Sequence, residues 1–298
     1  MSEGPTRKPA RLYALLAVMV FVWSVNFVVA KTALREIPPL MLGSLRFTLA
    51  GLLIAPIYLL RQLSEKRPLF VGPDTLRLVG LGLIGVGANQ LVFQVGLVRT
   101  TIAHAALLIA MTPVLVLLLS SWVGHERITR SKLAGLGIAV GGVLVLQGRA
   151  LIGGHGSALG DFFVMLAALT FAIYTVFGKS IRAHYDSLTM TTFAYTGSAI
   201  LLLPSTLWIA SGVDFDKVTW VGWTSVVFMA IFPSIIAYLI FYYALRYLQP
   251  SRLSMLAYLQ PPLATLFGVF LLGEELTASL FAGGALVLGG VLLAERLA

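Results

Sequence analysis

Residues 113–129 read PVLVLLLSSWVGHERIT, and residues 262–278 read PLATLFGVFLLGEELTA. At a shift of 149, Pro113 falls on Pro262, Gly124 on Gly273 and Glu126 on Glu275; further on, Gly135 falls on Gly284 and Gly141 on Gly290. Lys31 falls on Lys179 at a shift of 148. Glycines coincide easily in Gly-rich helices. An ungapped Pro…Gly-x-Glu register closing an apolar run does not, and it divides the chain into two similar halves, 11–148 and 159–294.

Outward from that pair the chain reads as ten apolar segments, at roughly 11–30, 40–60, 76–97, 102–122, 131–148, 159–179, 188–210, 220–245, 251–272 and 277–294. A helix crossing the ~30 Å hydrocarbon core needs about 20 mostly apolar residues. Runs of this length are helical, because an open strand would leave its backbone unsatisfied in lipid. The separators carry breakers: Pro38-Pro39, Pro68 to Pro73, Gly153-Gly154, Asp214 to Asp216 and Gly273. Leu12–Ala30 has the basic flank of a secretory signal, but its nineteen uncharged residues exceed the ~7–15 of a signal core. It is expected to be a retained first span. Five helices per half is an odd number, so the second half should sit upside down relative to the first. The expected fold is all-α and polytopic, ten transmembrane helices in two inverted five-helix repeats.

Composition agrees. Of 298 residues 58% are hydrophobic and 11% charged, which excludes a water-soluble globule, where charged residues approach ~25%, and a disordered chain. The net charge is +9, from 21 Lys+Arg against 12 Asp+Glu. With the N-terminus placed in the cytoplasm, fifteen of these cations fall in cytoplasmic loops and five (Lys31, Arg35, Arg99, Arg149 and Lys217) on the opposite side. That bias puts both termini in the cytoplasm. The excess sits in loops and forms no groove for nucleic acid. There is no Cys, so disulfides, thiolate metal sites and a Cys nucleophile are excluded.

Trp23-Ser24-Val25-Asn26-Phe27, Pro38-Pro39 with Arg46-Phe47, and Pro113 through Gly124-His125-Glu126-Arg127-Ile128-Thr129 resemble a first EamA repeat. Gly160-Asp161 with Tyr174, then Pro250 through Pro261 and Leu272-Gly273-Glu274-Glu275-Leu276-Thr277, resemble the second. On these residues the chain is similar to the EamA type of the drug/metabolite transporter superfamily, and within it to the YddG-type amino acid exporters. It departs from the common pattern at Gln260, where a Glu often precedes the Pro. The resemblance implies ten helices in two inverted repeats and export of small metabolites.

Several motifs fail on context. Gly80-x-Gly82-x-x-Gly85 matches a dinucleotide fingerprint but lies inside an apolar helix with no preceding strand. Its glycines, Gly137-x-x-x-Gly141, and Gly283, Gly284, Gly289 and Gly290 read instead as sites of close helix approach. No phosphate-binding loop is present, so no nucleotide is hydrolysed. The acids fall in loops or at span ends, without the clustered carboxylates of a metal-dependent membrane enzyme. Neither enzyme chemistry nor a cofactor or metal is expected. No ring of charges or carbonyls marks a channel. Glu126 and Glu275 read as anchors for loops between paired helices.

The interior offers uncharged polar and aromatic groups: Trp23, Asn26, Asn89, Gln90, Gln94, His104, Tyr174, Tyr238, Tyr242, Tyr258 and Gln260. Amides in lipid are costly unless they face a cavity or a partner helix, so for each one packing and ligand contact are both open. For Trp23, Tyr174 and Tyr242 the interfacial belt is the default. As a set they point to a polar-aromatic cavity. Gln90 and Gln94, one turn apart, are expected to share one space with Tyr238 and Tyr242, also one turn apart. Arg46 stands about seven residues into its span, roughly 10 Å deep at ~1.5 Å per residue. It either snorkels outward or lines the cavity mouth. Pro113, Pro233 and Pro261-Pro262 free the carbonyls of Ile109, Met229, Ala257 and Tyr258 for a ligand, or simply kink their helices. Pro113 and Pro262 are the expected hinges. The function expected is a bacterial inner-membrane carrier for neutral and aromatic amino acids, facilitative and working by alternating access. A proton-coupled carrier of another amphipathic metabolite or drug is the alternative. Its partners are a small-molecule substrate and the lipid bilayer.

Overall fold

The computed structural model describes residues 8–97, 99–100, 108–153, 157–260, 262–263, 266–267, 270 and 278–296, and among these the regular structure is entirely helical. The first half contributes α1 (Lys8–Ala33), α2 (Pro39–Ser64), α3 (Asp74–Gly82), α4 (Asn89–Leu97), α5 (Thr112–Trp122) and α6 (Arg130–Gly153). A π-helix, Leu83–Ala88, joins α3 to α4. The second half contributes α7 (Ala158–Arg182), α8 (Ser187–Leu201), α9 (Leu203–Ala210), α10 (Trp220–Met229), α11 (Ala237–Leu245), α12 (Pro250–Met255) and α13 (Ala278–Arg296). A second π-helix, Ala230–Ile236, joins α10 to α11, and a 3-10 turn, Leu256–Leu259, follows α12. Among the described residues five helices are long and apolar enough to cross a membrane: Ala10–Ala30, Pro39–Ser64, Asp74–Gly96, Ala158–Arg182 and Trp220–Leu245. The pair α8 and α9, bent by 56°, makes a sixth if counted as one span. The expected spans at 102–122, 251–272 and 277–294 run partly outside the described residues.

Local chemistry sets the boundaries. Pro39 opens α2, where a missing N–H costs nothing. The carboxylate of Asp186 caps α8 by accepting from the Thr189 amide at 2.8 Å, and the Thr219 hydroxyl caps α10 through the Val221 amide at 3.2 Å. The α8–α9 bend falls at Leu202, two residues before Pro204 in the first turn of α9.

Two ends of the bundle can be told apart. At one, the Tyr185 hydroxyl donates to Asp74 at the start of α3 (2.7 Å), and Lys179 near the end of α7 donates to Leu245 O (2.5 Å) and Leu248 O (2.9 Å) at the end of α11. There Lys179 satisfies carbonyls that a helix C-terminus leaves unpaired. This is the basic end, and α3–α4 and α10–α11 therefore run in opposite directions. At the other end Glu36 accepts from the amide of Thr219 (2.8 Å) and from its hydroxyl, fastening the α1–α2 turn to the start of α10.

Helix pairs exchange when the halves are exchanged. The span α3–α4 packs on α7, and α10–α11 packs on α1; α2 packs on α8, α5 on α12 and α6 on α13. In the α6–α13 pair a Cβ on Gly142 would lie 2.7 Å from Gly283 O and Val287 N, and one on Gly290 would lie 2.5 Å from Gly135 O and 2.6 Å from Ala139 N. These contacts are reciprocal at a shift of 148, and they run in opposite senses along the two helices. The sequence match of Gly135 with Gly284 and Gly141 with Gly290 is thus one residue out of the packing register. The glycines at 137, 141 and 289 face open space, while Gly142 and Gly290 make the close approach.

Candidate functional site

Toward the basic end the interior is filled by rings. Tyr238, Phe241 and Tyr242 on α11 are buried. Tyr174 on α7 places its ring 5.5 Å from Tyr242, 6.0 Å from Tyr238 and 6.4 Å from Phe241, stacked on the last. Tyr195 of α8 meets Tyr238 edge-on at 5.4 Å, and Trp23 of α1 does so at 5.9 Å. Offset and edge-on arrangements at these distances are the favourable ones for aromatic pairs. Gly85, in the first π-helix, lies directly under the Tyr174 ring, where any side chain would collide. Trp23, Tyr174 and Tyr242 therefore face inward and not the membrane interface. Trp122, Trp208 and Trp220 are exposed, as residues of an interfacial belt would be.

The amides divide. Asn89 donates to Ala167 O (2.6 Å) and to the Thr170 hydroxyl (3.0 Å), so it joins α4 to α7. Gln94 is 8% exposed, and its Oε1, like Asn26 Oδ1, is buried without a hydrogen-bond partner. Gln90 is half-buried. Gln90 and Tyr238 each lie about five residues past the midpoints of Asp74–Gly96 and Trp220–Leu245, and because those spans run in opposite directions the Gln90–Gln94 and Tyr238–Tyr242 pairs are displaced from the middle toward different ends.

Arg46 points inward: its Nε donates to the Ser234 hydroxyl at 2.8 Å, across from α2 to the second π-helix. Ser234 in turn donates to Met229 O at 2.8 Å, so the carbonyl that Pro233 was expected to free is taken. The Trp23 indole N–H donates to Pro233 O at 3.1 Å. Pro113 lies in the first turn of α5, just after a break at Met111, and Pro262 follows the 3-10 turn. Tyr258 is buried apart from the ring cluster, with Ala139, Val143 and Val287 between α6 and α13, and its hydroxyl has no partner. Gln260 is half-buried just beyond. His104 and Glu275 lie outside the described residues. Sequence reasoning missed Tyr195 and Ser234, which carry no spacing signal, and it took Gly85 only as a helix contact.

At the basic end Glu126 acts as the loop anchor expected of it. Its carboxylate accepts from the Ser251 amide at 3.1 Å, from the Ser251 hydroxyl and from Lys132, which also donates to Gln249 at 2.8 Å. Both side chains of the Glu126–Lys132 pair are buried. Burial raises the Glu126 pKa, but hydrogen bonds from Lys132 and Ser251 outweigh it and hold the carboxyl below the usual glutamate range. The pair borders a cleft of about 570 Å³ lined by Gly124, His125, Arg127, Thr129 and Gln249 among others. Among the described residues no group of His, Asp and Glu could hold a metal ion.

The model of the EamA-like transporter family matches twice, over residues 10–147 and 158–295. An uncharacterized transporter of Archaeoglobus fulgidus is 33% identical over 95% of this chain and 98% of its own length. A probable amino-acid metabolite efflux pump of Salmonella typhimurium is 30% identical over 93% of this chain and 92% of its own. The uncharacterized inner membrane transporter YedA of Escherichia coli is 30% identical over 89% and 84%. A solved crystal structure, 23% identical, superposes with a TM-score of 0.80 over 97% of this chain and 99% of that one.

Proposed function

The chain belongs to the EamA-like transporter family, and from that premise we propose that it exports neutral and aromatic amino acids across a bacterial inner membrane by alternating access. Its ten spans, in repeats 11–148 and 159–294, are related by inversion, and both termini are cytoplasmic with the basic end. The antiparallel, reciprocal packing of α6 and α13 supports the inversion. The basic loops support the orientation.

The observation that carries the substrate reading is Arg46, a cation held in the bundle interior by Ser234 beside an aromatic wall. A guanidinium presents five N–H groups, of which Ser234 uses one, and it suits a carboxylate. The rings supply apolar contact for the substrate body. The efflux pump named among the relatives is consistent with that substrate class. In liposomes, Arg46→Gln should raise the half-saturating concentration of L-phenylalanine at least tenfold and leave that of phenethylamine, which lacks the carboxylate, within threefold. Equal losses for both would remove Arg46 from carboxylate recognition. Pro113 and Pro262 serve as the hinges about which each gate rocks.

Transport is facilitative. Glu36, Asp74, Glu126, Asp161 and Asp186 lie at helix ends or in turns, where hydrogen bonds already engage them. Imposed pH and sodium gradients are expected to leave the L-phenylalanine distribution across a liposome at equilibrium. Accumulation driven by either gradient would establish coupling and favour the proton-linked alternative.

A further inference from the structure

The two halves match in backbone and part in chemistry. At the shift of 148 that relates Gly135 and Gly142 to Gly283 and Gly290, Asn26 falls on Tyr174, Gln90 on Tyr238 and Gln94 on Tyr242. Gly85 falls on Pro233, and the π-helices Leu83–Ala88 and Ala230–Ile236 coincide. The packing follows: Gly85 lies under Tyr174, and Pro233 lies against Trp23, one turn before Asn26. Three tyrosines on the basic side of the interior thus have three amides as their counterparts in the first half.

The two sets behave differently. The tyrosines fill their space with one another and with Phe241, ring against ring. An apolar assembly of this kind excludes water and polar solute. The Tyr174 hydroxyl is buried without a partner, and the amides leave two buried carbonyl oxygens, Asn26 Oδ1 and Gln94 Oε1, with no donor; a hydroxyl can itself donate, whereas an amide oxygen only accepts. Buried acceptors are rarely left so, and each calls for an N–H or O–H group. An ammonium group offers three donors and no acceptor, and its hydrogen bonds are charge-assisted.

We propose that the interior is divided by role: Tyr174, Tyr238 and Tyr242 form the plug that shuts the passage at the basic end, and Asn26, Gln90 and Gln94 form the subsite that receives the substrate's protonated amine. The subsite rests on the amino-acid reading above; the plug does not. Closure at the basic end brings aromatic side chains together, whereas in the first half the substrate supplies what the amides lack. The same duplicated backbone thereby makes a gate on one side and a recognition site on the other.

The chain has no Cys, so one reporter cysteine can be read without background. Ala237→Cys places it at a fully buried position beside Tyr238. Labelling by a membrane-impermeant maleimide from the basic face is compared in the natural interior, in Tyr174→Asn/Tyr238→Gln/Tyr242→Gln, and in Asn26→Ala/Gln94→Ala. The plug variant should label at least tenfold faster than the natural interior. In the amide variant labelling should be unchanged and the half-saturating concentration of L-phenylalanine should rise at least tenfold. The natural chain should handle 3-phenylpropionate, which lacks the amine, at least tenfold more weakly than L-phenylalanine, and the amide variant should lose that preference. Unaltered labelling in the plug variant overturns the plug, and Tyr238→Gln alone serves if the triple variant does not reach the membrane. Equal handling of the two probes by the natural chain overturns the amine subsite and leaves those acceptors to water. If the natural chain moves neither probe, the amino-acid reading fails and the subsite with it, and labelling decides the plug.

Discussion

Replacing Glu126 with alanine is expected to destabilise the protein by about 3 kcal/mol, because it strips a buried cation of its partner. The Glu126 side chain is fully buried and that of Lys132 is 5% exposed. The same substitution removes the acceptor of the Ser251 amide in the first turn of α12, which joins a loop of the first half to a helix of the second. Thermal unfolding in mild detergent reads the effect. Pairing Glu126→Ala with Lys132→Met should recover a large part of the loss, since an apolar pair leaves no uncompensated charge. A double variant no more stable than Glu126→Ala alone would show that the ion pair is not the cause. Acid should act in the same direction. With the folded-state pKa held below the ordinary value, the stabilisation is complete above that ordinary value and is lost as pH falls through the lower one. The unfolding midpoint of the natural chain should therefore drop below the usual glutamate range, and that of the double variant should drop less.

Alanine at Gly142 or Gly290 should cost about 1–3 kcal/mol each, the range for overpacking a close contact. In both cases the new Cβ meets backbone, at 2.7 Å from Gly283 O or 2.5 Å from Gly135 O, and backbone in a paired helix has little room to give. The two contacts lie on one helix pair, so separating the helices for the first relieves the second. The double variant should be less harmful than the sum of the singles. Gly137→Ala and Gly141→Ala are the controls: both positions face open space, and alanine there should be neutral or mildly stabilising. Strict additivity at 142 and 290, or comparable losses at 137 and 141, would count against rigid contact at this pair.

The helices were legible because an apolar run has one solution in lipid, and the helix breaks follow Pro39, Pro113 and Pro204. Glu126 was legible as an anchor from its place in the repeated motif. The register of α6 on α13 was not, since glycines at 135, 137, 141 and 142 all satisfy a small-residue pattern and only packing selects among them. The opposite displacement of the Gln90–Gln94 and Tyr238–Tyr242 pairs along their spans had a signal in the chain: the shift that aligns Lys31 with Lys179 also aligns these pairs. Counterparts on spans that run in opposite directions are displaced toward different ends. The grouping of Trp23, Tyr174, Tyr195 and Tyr238 had no such signal, because four helices distant in sequence contribute to it.

The π-helix at Leu83–Ala88 alters the angular phase of its span. Hydrogen bonds reaching five residues back rather than four accommodate an extra residue, which offsets everything downstream by about 100° on a wheel of ~3.6 residues per turn. Gly82, before the offset, lies against Ala194 of α8, while Asn89, after it, bonds to Ala167 of α7. A uniform helix from Asp74 to Leu97 would hold one azimuth and direct one stripe at one neighbour. This span turns its stripe partway through the membrane, so a helical wheel drawn through the whole of it superimposes two faces that never coincide.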